Sequence, residues 1–240
     1  MSSTTAKNLT PKGKKIANYY SKNILKSRPS DTDYDRLIRE SVQFLFDRSL
    51  DLTDLDSEDS IHDPVMIIGL PHLENLNGLT FEIQKGKDNF FRFIPLGITI
   101  YNFTDHSLIA YQCTFDPRTN NALNEGTFEY FYNEIVSFET FSESGTVTDY
   151  NWRDKIVNSI PLLDSLIRTG KIHQYDYTQK FKLTTTGGTS ISVILKEGVL
   201  KEVSDGGEFS LTEALKSISI VRRIIREKKS YTRKDSYSED

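Results

Sequence analysis

Two different rhythms of apolar residues divide this chain. Over the first fifty positions the apolar residues return at helical spacing. Ile16, Tyr19, Tyr20, Ile24 and Leu25 form one stripe between Gly13 and Ser27, and Pro29 ends it. In "SDTDYDRLIRESVQFLFDRSL" the residues Leu37, Ile38, Val42, Leu45 and Phe46 form a second stripe. Ser30 or Asp31 is placed to cap that helix, and acids in its first turn complement the helix dipole. The acidic, turn-forming run "DLTDLDSEDSIHD" follows and reads as a linker.

Beyond it the period drops towards two. "VMIIGL" (Val65 to Leu70) has the pattern of a short buried strand, and "LTFEIQ" alternates. "FFRFIPLGITIYNF" and "SLIAYQCTF" read as two long strands joined across "TDH", with Pro95 and Gly97 marking a bulge or an edge. "DPRTNNALNEG" (Asp116 to Gly126) reads as a long polar loop. The strand patterns "TFEYFYNEIVSFETF", "YDYTQKFKLTTT" and "TSISVILK" come after it. A helical pattern interrupted at Pro161 lies among them, in "RDKIVNSIPLLDSLIRTG". Between the last two strand patterns, "TTTGGTS" offers two glycines with β-branched residues on either side. A phosphate-binding glycine loop must lead into a helix N-terminus, whereas here a strand follows, so Gly187-Gly188 reads as a hairpin turn. Near the end, Leu211, Ala214, Leu215, Ile218, Val221, Ile224 and Ile225 share one stripe of an amphipathic helix. Arg222, Arg226, Lys228 and Lys229 lie largely off it.

Composition narrows the choice of chemistry. The chain has 240 residues and only 37% hydrophobic content, yet 14 Phe and 12 Tyr can supply a core and favour strands. A single cysteine, Cys113, rules out an internal disulfide and a multi-cysteine zinc site, and its place within a strand pattern suits a small core residue. No apolar run reaches the length of a signal core or a membrane span, so a cytoplasmic protein is expected. "NFT" at Asn102 matches a glycosylation acceptor, without a secretory context to give it meaning. The net charge of −4 is unevenly spread: residues 1–28 carry +7, residues 211–234 carry +6, the last six carry −3, and the body from 29 to 210 therefore carries −14.

The candidate sites follow from these patterns. His62, His72, His106 and His173 show no ligand spacing, and no metal or other cofactor is expected. Asp116, Glu125, Glu129 and Glu134 could form a hydrolytic carboxylate site if they shared a pocket that shifted their pKa values. Lys85, Lys87 and Arg92 surround a turn with Phe90 and Phe91, an arrangement that, with the basic termini, could grip an anionic lipid headgroup or a nucleic-acid strand. The acidic body opposes such polyanions. Arg222, Arg226 and Lys229 are candidates for an interaction surface facing a protein partner or a second copy of the chain.

The order of strands, polar excursion, further strands and closing helix resembles the pleckstrin-homology-like superfold over about residues 79–229. The resemblance rests on "YFYNEIVSFET", on "FKLTTTGGTSISVIL" and on the final helix. It implies an α+β protein in which an antiparallel sheet or barrel is closed by the C-terminal amphipathic helix. It also implies a binding scaffold without catalytic residues. The expected divisions are a tail and helical arm at 1–50, an acidic linker at 51–64, a β-rich domain at 65–230 and a tail at 231–240. The arm could pack on its own domain or reach towards another chain. A non-enzymatic adaptor or regulatory module is the function expected.

Overall fold

The computed structural model describes residues 9–21, 27–56, 58–71, 76, 79–146, 174–196 and 212–235. The predicted helical segment around Asp154 to Thr169 lies outside them, as do His72 and His173. Among the described residues three N-terminal helices, α1 (Pro11–Tyr20), α2 (Asp31–Val42) and α3 (Phe44–Asp51), precede nine strands and a final helix. The strands are β1 (His62–Gly69), β2 (Glu82–Lys85), β3 (Phe91–Ile94), β4 (Leu96–Phe103), β5 (Ser107–Asp116), β6 (Asn121–Phe131), β7 (Ile135–Thr146), β8 (Gln174–Thr185) and β9 (Ser190–Lys196). The final helix, α4, spans Thr212–Asp235.

Local chemistry sets the helix starts. Thr10 caps α1 by accepting from the Gly13 N–H at 2.8 Å, with Pro11 just inside. Ser30 caps α2 by accepting from the Asp33 N–H at 3.1 Å, and Asp31 and Asp33 occupy the first turn.

The described strands form an antiparallel four-stranded sheet in the order β1-β4-β5-β6, a β2-β3 hairpin, and a three-stranded sheet β7-β8-β9. A bridge between Leu70 and Ile194 links the end of β1 to β9. The architecture is thus α+β with antiparallel sheets, and these do not close into the barrel that was one of the two forms expected. Among the described strands β6 and β7 each have a neighbour on one side only. The turn at residues 132–134 carries the chain from one sheet to the other without pairing them.

The four-stranded sheet is covered on both faces. On one, Ile98 and Ile100 of β4 and Tyr111, Cys113 and Phe115 of β5 pack under Ile16, Tyr19, Leu37, Ile38 and Leu45 of the N-terminal helices. On the other, Ile67, Tyr101, Phe103 and Leu108 meet Phe181, Leu183 and Val193 of the second sheet and Ile218, Val221 and Ile225 of α4. Period two places neighbouring residues on opposite faces, so a strand covered on both faces reads as nearly continuous apolar sequence, as in "GITIYNF". Helices α1 to α3 therefore supply a layer packed on the sheet of their own chain.

Several sequence boundaries are corrected. The "long polar loop" 116–126 is a four-residue turn, residues 117–120, followed at once by β6. Asn120 and Asn124 take positive φ angles of 60° and 53°, which asparagine tolerates, and β6 is polar because it is an exposed edge. "FFRFIPLGITIYNF" is two strands, divided at the cis Ile94–Pro95 bond. The first pairs with β2 and the second with β1 and β5. Strand β1 begins at His62, within the run expected to be a linker. Gly187-Gly188 is the expected hairpin turn between β8 and β9, with Gly188 at φ +80°.

Candidate functional site

The final helix lies with Ala214, Ile218, Val221, Ile224 and Ile225 buried in the core. That packing directs its cationic side towards β7. Arg222 donates from Nη2 to the Thr140 hydroxyl at 2.6 Å, and its guanidinium centre stands 5.9 Å from the ring centres of both Phe138 and Phe181. Arg226 sits one turn on, 5.4 Å from the centre of the Phe138 ring. Lys229 donates to the Ile135 carbonyl, and Lys228 reaches Asp105 at 3.1 Å. Cation–π contacts and neutral oxygens thus hold Arg222 and Arg226 against the strand. Between helix and strand lies an open cavity of about 370 Å³, lined by Thr140, Leu215, Arg222, Arg223, Arg226 and Glu227 among others. The Arg222 Nε is buried and has no hydrogen-bond partner among the described residues.

The other arginine clusters differ in kind. Arg92 is 8% exposed and grips two carboxylates. Nε and Nη2 donate to Asp35, both at 2.7 Å, while Nη1 and Nη2 donate to Asp88 at 2.9 and 2.6 Å. The hydrogen bonds from Arg92 hold the Asp88 carboxyl down at about 2. Asp31, at the start of α2, accepts from the Lys87 N–H at 2.6 Å and from the Tyr19 hydroxyl at 2.7 Å. The turn with Lys85, Lys87 and Arg92 therefore clips the β2-β3 hairpin to α2, and the Arg92 guanidinium is already occupied.

Arg118 makes a buried counterpart. It donates from Nε and Nη2 to Asp116 at 2.9 and 2.8 Å and from Nη1 to Glu82 at 2.6 Å. Burial raises the Glu82 pKa, and Arg118 offsets only part of that. Arg48 of α3 holds Glu125 through Nε and Nη2 at 2.5 and 2.6 Å, and Tyr111 donates to the same carboxylate at 2.8 Å. These bonds, led by that from Arg48, push the Glu125 pKa down.

The structure does not bring the acidic candidates together. Asp116 belongs to the Arg118 cluster, Glu125 to Arg48, and Glu129 and Glu134 are exposed away from both. The shared pocket that a carboxylate hydrolase requires is not formed by them. Among the described residues no group of three or more His, Cys, Asp or Glu is arranged to hold a metal ion, and no helix is long and apolar enough to cross a membrane. Burial pushes the Cys113 thiol up to about 11, away from the thiolate a nucleophile needs.

Of the three basic residues expected on one interaction surface, Arg222 and Arg226 line this cavity, whereas Lys229 is engaged by the Ile135 carbonyl. Sequence reasoning missed Arg223 and Thr140: Arg223 stands beside a named residue, but nothing in the sequence signals that β7 pairs its Thr140 with α4. Comparison with known proteins adds no name to this geometry: no family model matches the chain, and no similar chain is found among curated sequences or solved structures.

Proposed function

We propose that this protein is a non-enzymatic interaction module that docks a partner protein against α4 and the neighbouring edge of β7. The observation that carries the reading is the contrast between the arginine clusters. Arg48, Arg92 and Arg118 spend their charge on carboxylates that hold the fold together, whereas the α4 arginines line an open groove beside a strand edge. Such an edge presents backbone groups to which an extended segment can add as a further strand. Leu215 adds apolar area to the groove and is 42% exposed.

The order of elements supports the pleckstrin-homology-like reading: a four-stranded antiparallel sheet, a three-stranded meander and a final amphipathic helix. The β2-β3 hairpin is then an insertion between the first two strands of the large sheet. Fold likeness selects no ligand, so the proposal rests on the groove.

The test is retention of proteins from native extract by the full chain beside two surface variants, Arg226→Glu and Leu215→Lys. One retained protein that both variants lose, with unchanged circular dichroism, is the expected result. Equal retention by all three chains would move docking away from this groove. Catalytic turnover by the chain alone would overturn the non-enzymatic reading.

A further inference from the structure

The groove has a charge that nothing in its own walls balances. Arg222, Arg223 and Arg226 line it with one acid, Glu227, which leaves two formal positive charges. Among the described residues no carboxylate lies within 4 Å of any of the three guanidinium groups, although the chain is acidic overall. The comparison within this molecule is direct: Arg92 and Arg118 each hold two carboxylates. Clustering like charges on adjacent turns of a helix is unfavourable, and that cost falls when an anion enters the cavity.

We propose that this cavity is a phosphate-binding site, and that its occupant is a phosphorylated side chain on an extended segment of the partner. The proposal deepens the interaction-module reading and rests on it. A phosphate monoester carries about −1.5 to −2 charges near neutral pH, with three acceptor oxygens, and so matches the net charge of the walls. Guanidinium groups bind it through paired N–H donors, stronger than bonds between neutral groups. The cavity, about 370 Å³, falls within the general range of small-ligand sites, roughly 300–1,000 Å³. Two features favour a peptide over a membrane headgroup. The cavity adjoins β7, which among the described strands is paired on one side only and so offers an edge that can hydrogen-bond an extended chain. The −14 charge of residues 29–210 also opposes approach to an anionic bilayer.

The test uses the full chain and fluorescence anisotropy with a degenerate phosphoserine/phosphothreonine peptide library, its unphosphorylated counterpart, and vesicles containing phosphatidylserine. The expected result is binding of the phosphorylated library that inorganic phosphate competes away. Affinity should fall at least tenfold in the Arg223→Gln/Arg226→Gln variant, and Arg226→Lys should lose less. Both side chains are exposed, and the melting temperature of each variant checks that the fold is kept. Equal binding of both libraries would overturn the phosphate site while leaving the docking groove standing. Loss of neither library in the double variant would overturn both. Binding of vesicles with no binding of peptides would overturn the peptide assignment in favour of a lipid surface.

Discussion

Replacing Gly13 by alanine should destabilise this protein, against the ordinary preference of helices. In an exposed helix interior, alanine is more favourable than glycine by about 1 kcal/mol. Gly13 is buried in the first turn of α1, where the helix meets the turn after β5. A Cβ there would lie 1.8 Å from the Arg118 carbonyl oxygen and 2.5 Å from its carbon, both backbone atoms that no rotamer change can move. To restore a 3.4 Å contact, helix and turn must separate by about 1.6 Å. That movement stretches the 3.1 Å bond from the Thr10 N–H to the Arg118 carbonyl beyond hydrogen-bond range. It also opens the packing of Ile16 and Tyr19, both fully buried. One lost hydrogen bond is worth about 1 kcal/mol, and partial exposure of two large side chains about 1–3 kcal/mol more; the gain of about 1 kcal/mol from alanine offsets part of this, so a net loss of roughly 1–3 kcal/mol remains. Urea unfolding followed by circular dichroism measures it, with Lys14→Ala, an exposed change on the same helix, as the near-neutral control. A Gly13→Ala protein as stable as the parent, or more so, would refute the reasoning. It would mean that α1 is not an integral layer of the sheet.

Three further outcomes follow from the buried charges and the thiol. Arg118→Met leaves Asp116, which is fully buried, without its cation, and should cost about 3–5 kcal/mol by denaturant unfolding. A loss under 1 kcal/mol would show that the cluster is not formed. Asp88 and Glu125 have folded pKa values below their unfolded ones, so the stability they contribute is full above the ordinary carboxylate range, about 4. It drains as pH falls through the folded values, which for Asp88 is about 2. Glu82 acts with the opposite sign, because its raised pKa favours the folded state as acid is added. Glu125→Gln should therefore flatten the dependence of unfolding free energy on pH below the ordinary carboxylate range and leave it unchanged above about 6; an unaltered acid slope would contradict the Arg48 pairing. Cys113 should react with an aromatic disulfide reagent at pH 8 only as fast as the chain opens in urea, and rapid reaction of the native protein would show the thiol to be accessible.

The sequence alone was enough for several features that depend on near neighbours. Ser30 before "DTDYDRLIRE" starts a helix because its hydroxyl satisfies a free N–H. The chain turns at Gly187-Gly188 because Gly188 tolerates a positive φ. The stripe of Ala214, Ile218, Val221 and Ile225 faces inward because helical period puts it on one side. The class, α+β with antiparallel strands and a C-terminal amphipathic helix, followed from those periods. The tertiary structure decided what meets what. Whether Arg92 would bind a ligand or two aspartates depended on bringing Asp35 from 57 residues away, which no local pattern encodes. Asp116 to Gly126 looked like a loop because an exposed edge strand and a loop share polar composition. The edge itself exists only once β5 has taken its partner. The groove between α4 and β7 follows from contacts 82 residues apart in sequence. Charge in a sequence is a count, and only the fold determines which charges cancel and which are left facing an open surface.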